Sequence, residues 1–404
     1  MNLPTRTNPN QNYETNPIWG KNILDYSIPS VIVEARLDPA ESCGFLVDAD
    51  DMAWVQRERS KGDIDRAGAL LIPWWQGKSR PSEVGSAYIT IQNWRTSHAL
   101  PLNVFQANLR ARAKRKSKDD FIVAQRLKRF SSVMDKLVRE PQMKLSQMQD
   151  LGGCRAILPD IHLVDAIYNM YRGDEPLSEG ESHLKCHDYI RQPKEDGYRS
   201  IHVVGRYSPR TERREPWRGQ RIEIQLRTRL QHAFATAVET VTAFTKHPLK
   251  FGGGSIKWRR FFSLMGSALA AREMTPLVPG TPTDRDALIK ELDSLTRSLQ
   301  IIQRLQGWTV VVHSLQIPED RAFRWILLVL NTKDNTINIT PYADHKQAYL
   351  EIDKIEKDKR TYLDAVLVWV KSISDLRSAY PNYYADTREF IAALESALRS
   401  RERT

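Results

Sequence analysis

The sequence predicts an α+β fold in two parts, and three observations indicate it. Between residues 118 and 250, short runs of alternating apolar and polar residues are separated by segments with helical spacing. The segment TPLVPGTPT, at 275–283, has three prolines in nine residues and is typical of a boundary. Both patterns return between 284 and 404. We therefore expect one domain of strands and helices, followed by a separate C-terminal α+β domain.

The composition indicates a folded protein with phosphate-bearing partners. Of 404 residues, 41% are hydrophobic and 27% charged, which argues against wholesale disorder. The 60 Lys+Arg exceed the 49 Asp+Glu by 11, and such a surplus favours partners that carry phosphate. Three widely spaced cysteines cannot form a disulfide framework. The first 17 residues lack the apolar core of a signal peptide, and no apolar run could span a bilayer. We therefore expect a cytoplasmic protein without a membrane partner.

The N-terminal part divides into three regions. Residues 1–17 are rich in Asn, Pro and Thr and are expected to be disordered. Residues 18–85 mix apolar and charged runs and are expected to form a folded N-terminal extension. From Ser86 to Lys116 the spacing is helical, and Pro101 is expected to break this stretch into two helices.

Residues 86–272, including these leading helices, are expected to form the first domain. Its strands are expected at Phe121–Phe130, Gly153–Leu158, Lys185–Ile190, Ser200–Tyr207 and Arg221–Thr228. Its later helices are expected at Val133–Arg139, Leu163–Tyr171, Leu230–Thr245 and Lys257–Arg272. Ser131 or Ser132 could cap the first of these.

The C-terminal domain, 284–404, is expected after a Pro-rich linker at 273–283. It begins with apolar residues on one helical face: Leu288, Leu292, Leu295, Leu299 and Ile302. Strands are expected at Trp308–His313, Phe323–Leu330, Ile337–Thr340 and Ala365–Val370. A helix near 343–356 and two final helices complete it.

The strand Arg221–Thr228 carries the first candidate site residues. Its alternation leaves one face entirely polar, with Arg221, Glu223, Gln225 and Arg227. A carboxylate between arginines could hold a metal or accept a proton while the arginines bind phosphate. The alternative is a half-buried strand with a solvated face.

A second cluster is basic and a third is acidic. The basic cluster spans a strand and the start of a helix, where free N–H groups suit phosphate: Arg126, Lys128, Ser132 and Lys136. Its alternative is a basic strand before an ordinary capped helix. The third cluster, Asp150–Arg155, places a carboxylate at a strand start, where it could bind Mg²⁺ or simply form a turn.

A fourth cluster lies in the sequence DYIRQPKEDGYRSIH, at 188–202. It places Lys194, Tyr198 and His202 in a turn and the strand that follows. Tyr198 could stack on a base and Lys194 could bind phosphate, while the alternative is a β-hairpin with surface charges.

The order and spacing of these motifs resemble the RelA/SpoT synthetase family. The pattern is RxKxxxSxxxK, DxxxxR, DYIxxPKxxGYxSIH and IEIQxRT, followed by His232 on a helix, over roughly 105–250. The sequence WRTSH at 94–98 is similar to the lead-in of shorter, synthetase-only relatives, and no upstream hydrolase motif occurs. The resemblance is thus to small alarmone synthetases, some of which are toxic.

This resemblance implies a nucleotidyltransferase-like mixed β-sheet flanked by helices. It also implies transfer of pyrophosphate from ATP to the 3′-hydroxyl of GTP or GDP, with Mg²⁺ as cofactor, and leaves a homo-oligomer or an antitoxin partner as open expectations. The ATP-binding residues it implies are Arg126, Lys128, Ser132, Lys136 and Arg155. The implied catalytic residues are Glu223, Asp150, His202 and Lys194, of which Asp150 and Glu223 would bind the metal. The implied acceptor-binding residues are Tyr198, Lys194, Gln225, Arg227 and His232.

Two departures from the family pattern occur, and the first of them leaves the acceptor open. Asp188 follows His187, where many relatives have Lys or an acidic residue, and the helix after His232 lacks a later His-Trp pair. A run of cations without an acid could instead track RNA and direct the transfer to tRNA: Arg110, Arg112, Lys114, Arg115, Lys116 and Lys118. An adenosine nucleotide is a further acceptor to consider. A third hypothesis is a catalytically silent nucleotide- or RNA-binding regulator, which the presence of both Asp150 and Glu223 disfavours.

Overall fold

The computed structural model describes most of the chain after residue 53. The described ranges are 54–78, 84–118, 120–174, 180–245, 256–312, 325–331, 336–342, 345–357, 363–369 and 387–399. The expectations for residues 1–53 and for the first of the two final helices lie outside these ranges.

The described residues form an α+β structure. The helices are α1 (Lys61–Trp75), α2 (Val84–Thr96), α3 (Ala99–Ser117), α4 (Phe130–Arg139), α5 (Ile161–Asn169), α6 (Arg229–Thr245), α7 (Ile256–Arg272), α8 (Arg285–Ser298), α9 (Ile301–Val312), α10 (His345–Lys357) and α11 (Arg388–Arg399). The strands are β1 (Ile122–Leu127), β2 (Gly152–Leu158), β3 (Gly180–Asp188), β4 (Ile201–Ser208), β5 (Arg221–Thr228), β6 (Trp325–Asn331), β7 (Thr336–Tyr342) and β8 (Leu363–Trp369).

One mixed sheet runs through these elements in the order β3-β4-β5-β2-β1-β8-β6-β7. Strands β2 and β5 pair in parallel, and the other pairs are antiparallel. The five strands from β1 to β5 form the mixed sheet that the sequence led us to expect, and helices flank it. The bounds of β5 are those predicted, because strict alternation over eight residues is a strong local signal.

The apolar side of the five-stranded part packs on helices α3 and α5. Ile222, Ile224 and Leu226 are fully buried there, together with Phe105 of α3 and Ile167 of α5. Burial of such side chains contributes about 1.5–3 kcal/mol each relative to exposure. This packing leaves the opposite face of β1, β2 and β5 for polar side chains.

Pro101 does not break a helix. Helix α2 ends at Thr96 and α3 begins at Ala99, so that Pro101 lies in the first turn of α3, where its missing N–H costs no hydrogen bond. Ser97 and His98, which separate the two helices, are both buried. Gln220 donates to the Ser97 hydroxyl at 2.9 Å. Two helices are thus present as expected, with the break three residues earlier.

The strand expected at Trp308–His313 is wrong within the described residues, since helix α9 covers Ile301–Val312. The β-branched run Val310–Val312 suggested a strand. Ile301 and Leu305 lie one helical turn apart and are both fully buried among α6, α7, α8 and α11. Tertiary packing of this kind overrides local propensity.

The C-terminal strands continue the first sheet, which differs from the separate domain expected. β8 pairs with β1 at two positions, Trp369 with Gln125 and Val368 with Arg126. On α10, Asp353 accepts hydrogen bonds from Tyr88 and Gln92 of α2, at 2.7 and 2.9 Å. Residues 53–404 accordingly form one compact unit. The segment 273–283 is likewise packed against the sheet domain, with Val278 2% exposed.

Among the described helices, none has the length and apolar character needed to cross a bilayer.

Candidate active site

Strand register places the polar residues of four strands on one face of the sheet. Directly paired residues share a face. Gly153 of β2 pairs with both Arg126 of β1 and Glu223 of β5. Arg155 pairs with Gln225, and Gln225 in turn pairs with His202 of β4. The predicted ATP-binding and acceptor-binding residues of these strands therefore line a continuous surface.

Arg126 and Arg155 lie on neighbouring strands of this face. Arg155 pairs with Ala124, so the two arginines are diagonal neighbours across the β1–β2 pair. Diagonal Cα atoms in an antiparallel pair are about 7–8 Å apart, within reach of long side chains. This spacing is compatible with two guanidinium groups on either side of a flat ring.

Asp150 sits between two lysines. Its carboxylate accepts from Lys128 Nζ at 2.7 Å and from Lys136 Nζ at 3.1 Å. Burial disfavours the charged form of Asp150, but the two ammonium groups outweigh it and hold its pKa at about 2. Burial lowers the pKa of Lys128, and Asp150 counters that effect. The side chains are about one-fifth exposed, so the group opens to solvent on one side.

Helix α4 brings Ser132 and Lys136 to this group. Ser132 lies in the first turn of α4, whose N-cap is Arg129, one turn ahead of Lys136. Residues four apart share a helix face, so Ser132 and Lys136 point to the same side. The helix N-terminus adds free N–H groups and positive potential there, as the sequence indicated.

Glu223 is held by two neighbours on the sheet. One oxygen lies 2.9 Å from His202 Nδ1, and the other accepts from Gln225 Nε2 at 2.7 Å. Burial alone would raise the pKa of Glu223, but the bond and charge of His202 leave it lowered. Burial opposes protonation of His202, yet the charges and hydrogen bonds of Tyr198 and Glu223 raise its pKa to about 9. At neutral pH the pair is therefore carboxylate and imidazolium.

The Tyr198 hydroxyl joins this pair to Arg227. It lies 2.7 Å from His202 Nε2 and 2.7 Å from the donating Nη2 of Arg227. Because the oxygen faces two cationic donors, its phenolate form is stabilised relative to that of an ordinary tyrosine. Burial would raise the pKa of Tyr198, but Arg227 and His202 lower it to about 8. Arg227 also donates to Gln225 at 2.8 Å, which closes the network.

Lys194 is exposed and lies over aromatic rings beside the network. Its ammonium is 4.1 Å from the centre of the Tyr189 ring and 5.5 Å from that of Tyr198. Tyr189 stacks in parallel with His187 at 6.0 Å. Among the residues that the structure describes, no carboxylate pairs with Lys194. Cation–π contacts of this kind can hold a lysine, and its hydrogen-bond donors can then face a ligand.

A pocket opens on Tyr198 between the turn and two helices. Its walls include Phe234 and Ala235 of α6 and Phe262 of α7, with Asp196 at the turn. Flat apolar walls beside a tyrosine suit an aromatic base. His232 lies on the same helix, α6, and is 4% exposed.

The residues fit the chemistry of a magnesium site. The negative charge of Asp150 raises the pKa of Glu223, so the two carboxylates lie within electrostatic reach of each other. Mg²⁺ binds through one or two carboxylates together with substrate phosphates. Within the described ranges no group of three or more His, Cys, Asp and Glu residues is arranged for a metal ion. The donor set thus matches an ion held jointly with a phosphate ligand.

One residue of the predicted RNA-binding run, Arg112, is buried and does not lie on the surface. Arg112 is 1% exposed and donates to both oxygens of Glu181, at 2.8 and 2.6 Å, and to the Tyr171 hydroxyl. The interpretation of Arg112 as an RNA contact is therefore wrong. Its neighbours Lys114, Arg115 and Lys116 are exposed at the end of α3, whereas Arg110 is half-buried and donates to Val123 O. A helix turns such residues to different sides, which a run in the sequence does not show.

Sequence reasoning missed two residues beside the site. The ring of Tyr189 contacts the ammonium group of Lys194, and Arg199 donates a hydrogen bond within the turn that contains Lys194 and Tyr198. Both lie inside the DYIRQPKEDGYRSIH motif, so the motif itself was the available signal.

Known proteins match part of this chain in sequence. Residues 125–247 match the family described as the region found in RelA / SpoT proteins. GTP pyrophosphokinase YwaC of Bacillus subtilis (strain 168) is 33% identical over 85 residues, which are 20% of this chain and 38% of YwaC. The match thus spans well under half of that relative.

Two solved structures resemble the chain only weakly. A GTP pyrophosphokinase family protein from Streptococcus pneumoniae has 21% identity and a TM-score of 0.36, covering 44% of this chain and 86% of its own. Small alarmone synthetase 1 from Bacillus subtilis, bound to its product pppGpp, has 19% identity and a TM-score of 0.33, covering 52% and 93%. The sequence match and the motifs coincide: residues 125–247, where the motifs lie, match the model of the region found in RelA / SpoT proteins.

Proposed function

We propose that the chain is a pyrophosphokinase that transfers the β,γ-pyrophosphate of ATP to the 3′-hydroxyl of GTP or GDP. The products would be AMP and (p)ppGpp-type alarmones. The observation that carries the proposal is that two carboxylates lie within electrostatic range of each other. Asp150 contacts the cations Lys128 and Lys136, and Glu223 belongs to the hydrogen-bonded group around His202. The name of its relative YwaC, a GTP pyrophosphokinase, supports the same chemistry.

The cation set would bind ATP. Arg126 and Arg155 would hold the adenine between their guanidinium planes. Lys128, Lys136 and the start of α4 with Ser132 would bind the phosphates. Neutralising a triphosphate and holding it in line supplies most of the catalysis in such transfers.

We call the hydrogen-bonded group of Tyr198, His202, Glu223, Gln225 and Arg227 the acceptor network, because it would bind the nucleotide whose hydroxyl attacks ATP. Tyr198 would stack on its base at the pocket between α6 and α7, and His232 would contribute from α6. Gln225, Arg227 and Lys194 would bind its polar groups and phosphates. His202 would lie close to the reacting hydroxyl.

The reaction forms one bond and breaks one. The 3′-oxygen would attack the β-phosphorus of ATP, and the bond from that phosphorus to the oxygen bridging to the α-phosphorus would break, releasing AMP. Glu223 would accept the proton of the hydroxyl, as its ionised form at neutral pH allows. His202, as imidazolium, orients Glu223 through the 2.9 Å contact.

Asp150 and Glu223 are the residues that would hold Mg²⁺. Bound there, the ion would neutralise charge on the ATP phosphates. Both oxygens of Asp150 contact lysines, and the same ammonium groups would bind ATP phosphates beside the ion.

An acceptor panel tests the proposal. The protein is incubated with Mg²⁺, ATP labelled in the β or γ phosphate, and GTP, GDP, ATP or deacylated tRNA. We expect label in a guanosine product that also retains its own 5′-phosphates. Label in none of the acceptors, with nucleotide still bound, would support a silent regulator instead.

A tRNA acceptor is the second candidate, favoured by one observation. Lys114, Arg115, Lys116 and Lys118 form an exposed basic end of α3. Such a cluster suits a nucleic-acid backbone. Label confined to the RNA in the same panel would favour this candidate, and with it a toxic role that an antitoxin partner would have to restrain.

A further inference from the structure

The turn that carries Lys194 and Tyr198 is packed directly on the backbone of α7. Gly197 has φ +84°, and a Cβ there would lie 2.5 Å from Phe262 O. A Cβ on Gly266 would lie 2.8 Å from Gly197 Cα. Real Cβ contacts are not this short, so both positions require glycine. The backbone of the turn and the backbone of α7 are therefore in direct contact, with no space for a side chain between them.

Polar contacts fix the same turn from α7 and from the segment after it. Ser263 Oγ donates to Glu195 O. Arg199 is 2% exposed and donates to Ile190 O at 3.0 Å, to Gly266 O at 3.3 Å, to Thr275 Oγ1 at 3.2 Å and to Pro276 O. One rigid guanidinium thus joins both ends of the turn to α7 and to the segment that follows.

The same segment also holds the end of β5. Glu273 accepts hydrogen bonds from Thr228 and from Gln231 Nε2, the latter at 2.8 Å. Thr228 directly follows Arg227 in the chain. The two halves of the acceptor network, one on the turn and one on β5, are therefore tied to a common support.

We propose that α7 and the segment after it form an acceptor clamp, which holds the turn in place through the positioning residue Arg199. The residues of the clamp are Ser263, Gly266, Glu273, Thr275 and Pro276. The clamp lies outside residues 125–247, and it rests on the proposed function for what it positions. It keeps the turn in its binding shape before the acceptor arrives, which reduces the entropy that binding must overcome. The residues proposed to bind ATP lie on or next to β1, β2 and α4. Within the described ranges the clamp forms no hydrogen bond with these elements, so ATP binding should not depend on it.

Two variants of the full-length chain test this inference. Arg199→Lys keeps the charge but cannot make all the contacts, and Ser263→Ala removes one hydrogen bond without adding bulk. Arg297→Lys, on the exposed surface of α8, is the matched control. Hydrogen exchange is followed in peptides covering 190–200, where Gly197 N donates to Lys194 O and Tyr198 N to Asp196 Oδ1. Initial rates give KM for GDP and KM for ATP separately.

We expect roughly tenfold faster exchange at the turn in Arg199→Lys, a smaller increase in Ser263→Ala and none in the control. The KM for GDP should rise by about tenfold in Arg199→Lys while the KM for ATP stays unchanged. Unchanged exchange at the turn in both variants, or equal rises in both KM values, would overturn the inference. If the unmodified chain transfers pyrophosphate to no acceptor, the proposed function fails, while hydrogen exchange still decides whether the clamp holds the turn.

Discussion

His202 Nδ1 lies 2.9 Å from Glu223 Oε1, and both side chains are 15% exposed. The proposed general base is therefore paired with an imidazolium. This pairing keeps Glu223 ionised and oriented, at the cost of some basicity. The trade-off is reasonable when positioning and charge neutralisation supply most of the rate.

The variant His202→Gln tests this relationship. Glutamine keeps a hydrogen-bond donor but removes the positive charge, so the pKa of Glu223 should rise. We expect kcat to fall by roughly 10²-fold and the acid limb of the pH profile of kcat/KM to move to higher pH. The control is His162→Gln, an exposed histidine on α5. An acid limb that stays in place would mean that Glu223 is not the base.

Loss of the His202 proton should be visible at alkaline pH. The pKa of His202 is raised from 6.5 to about 9, so its contribution to stability is full below pH 6.5 and is lost as the pH rises through 9. Urea unfolding between pH 6 and 10 should show a decline in the free energy of unfolding that is smaller in His202→Gln. Parallel declines in the two proteins would contradict the imidazolium assignment.

Asp150 predicts the opposite pH dependence. Its pKa is lowered from 3.8 to about 2, so its contribution to stability is present above pH 3.8 and is lost as the pH falls toward 2. That shift corresponds to about 2 kcal/mol. Between pH 5 and 2, the free energy of unfolding should fall more in the unmodified chain than in Asp150→Asn. Asp286→Asn, at an exposed position of α8, is the control and should behave like the unmodified chain.

The buried pair of Arg112 and Glu181 should contribute to stability without affecting recognition. Arg112→Met leaves a carboxylate buried without its partner, which typically costs about 3–5 kcal/mol. Arg297→Met breaks an exposed pair on α8 and should cost less than about 1 kcal/mol. Urea unfolding of both variants measures the difference. Similar values for the two would show that the Arg112 pair is not buried in solution.

The exposed end of α3 distinguishes the two acceptors. Replacing Lys114 and Lys116 by Ser should leave transfer to GDP within about twofold, because neither lysine is among the residues proposed to bind the two nucleotides. Surface charges of this kind act on nucleic acids mainly through counterion release. The dependence of any RNA binding on salt should become weaker. A large loss of transfer to GDP in this double variant would contradict a role limited to RNA.

Local patterns predicted the individual strands of the five-stranded part and the clusters of candidate residues, whereas the mixed sheet and the roles of those residues came from the family resemblance. The alternation in β5 predicted its bounds and its polar face, and the structure pairs Glu223 there with His202. The basic and acidic clusters meet as Lys128 and Lys136 on Asp150. Each of these features depends on residues close in sequence or on motifs with fixed spacing.

Long-range packing was not predictable in the same way. Nothing local in the sequence indicates that β8 pairs with β1, or that Arg199 reaches Pro276. Arg112 appeared to be a surface cation because its partner, Glu181, is far away in the chain. The Pro-rich segment appeared to be a linker, yet buried Val278 fixes it to the domain.

The position of the label after transfer tests the central claim most directly. ATP labelled separately at the α, β and γ phosphates is incubated with Mg²⁺, GDP and the unmodified chain, Asp150→Asn or Glu223→Gln. We predict that the β and γ labels move together to the guanosine product, that the α label remains in an equal amount of AMP, and that both variants lose transfer while staying folded. Movement of the γ label alone, or full activity in either variant, would contradict a pyrophosphokinase that depends on these two carboxylates.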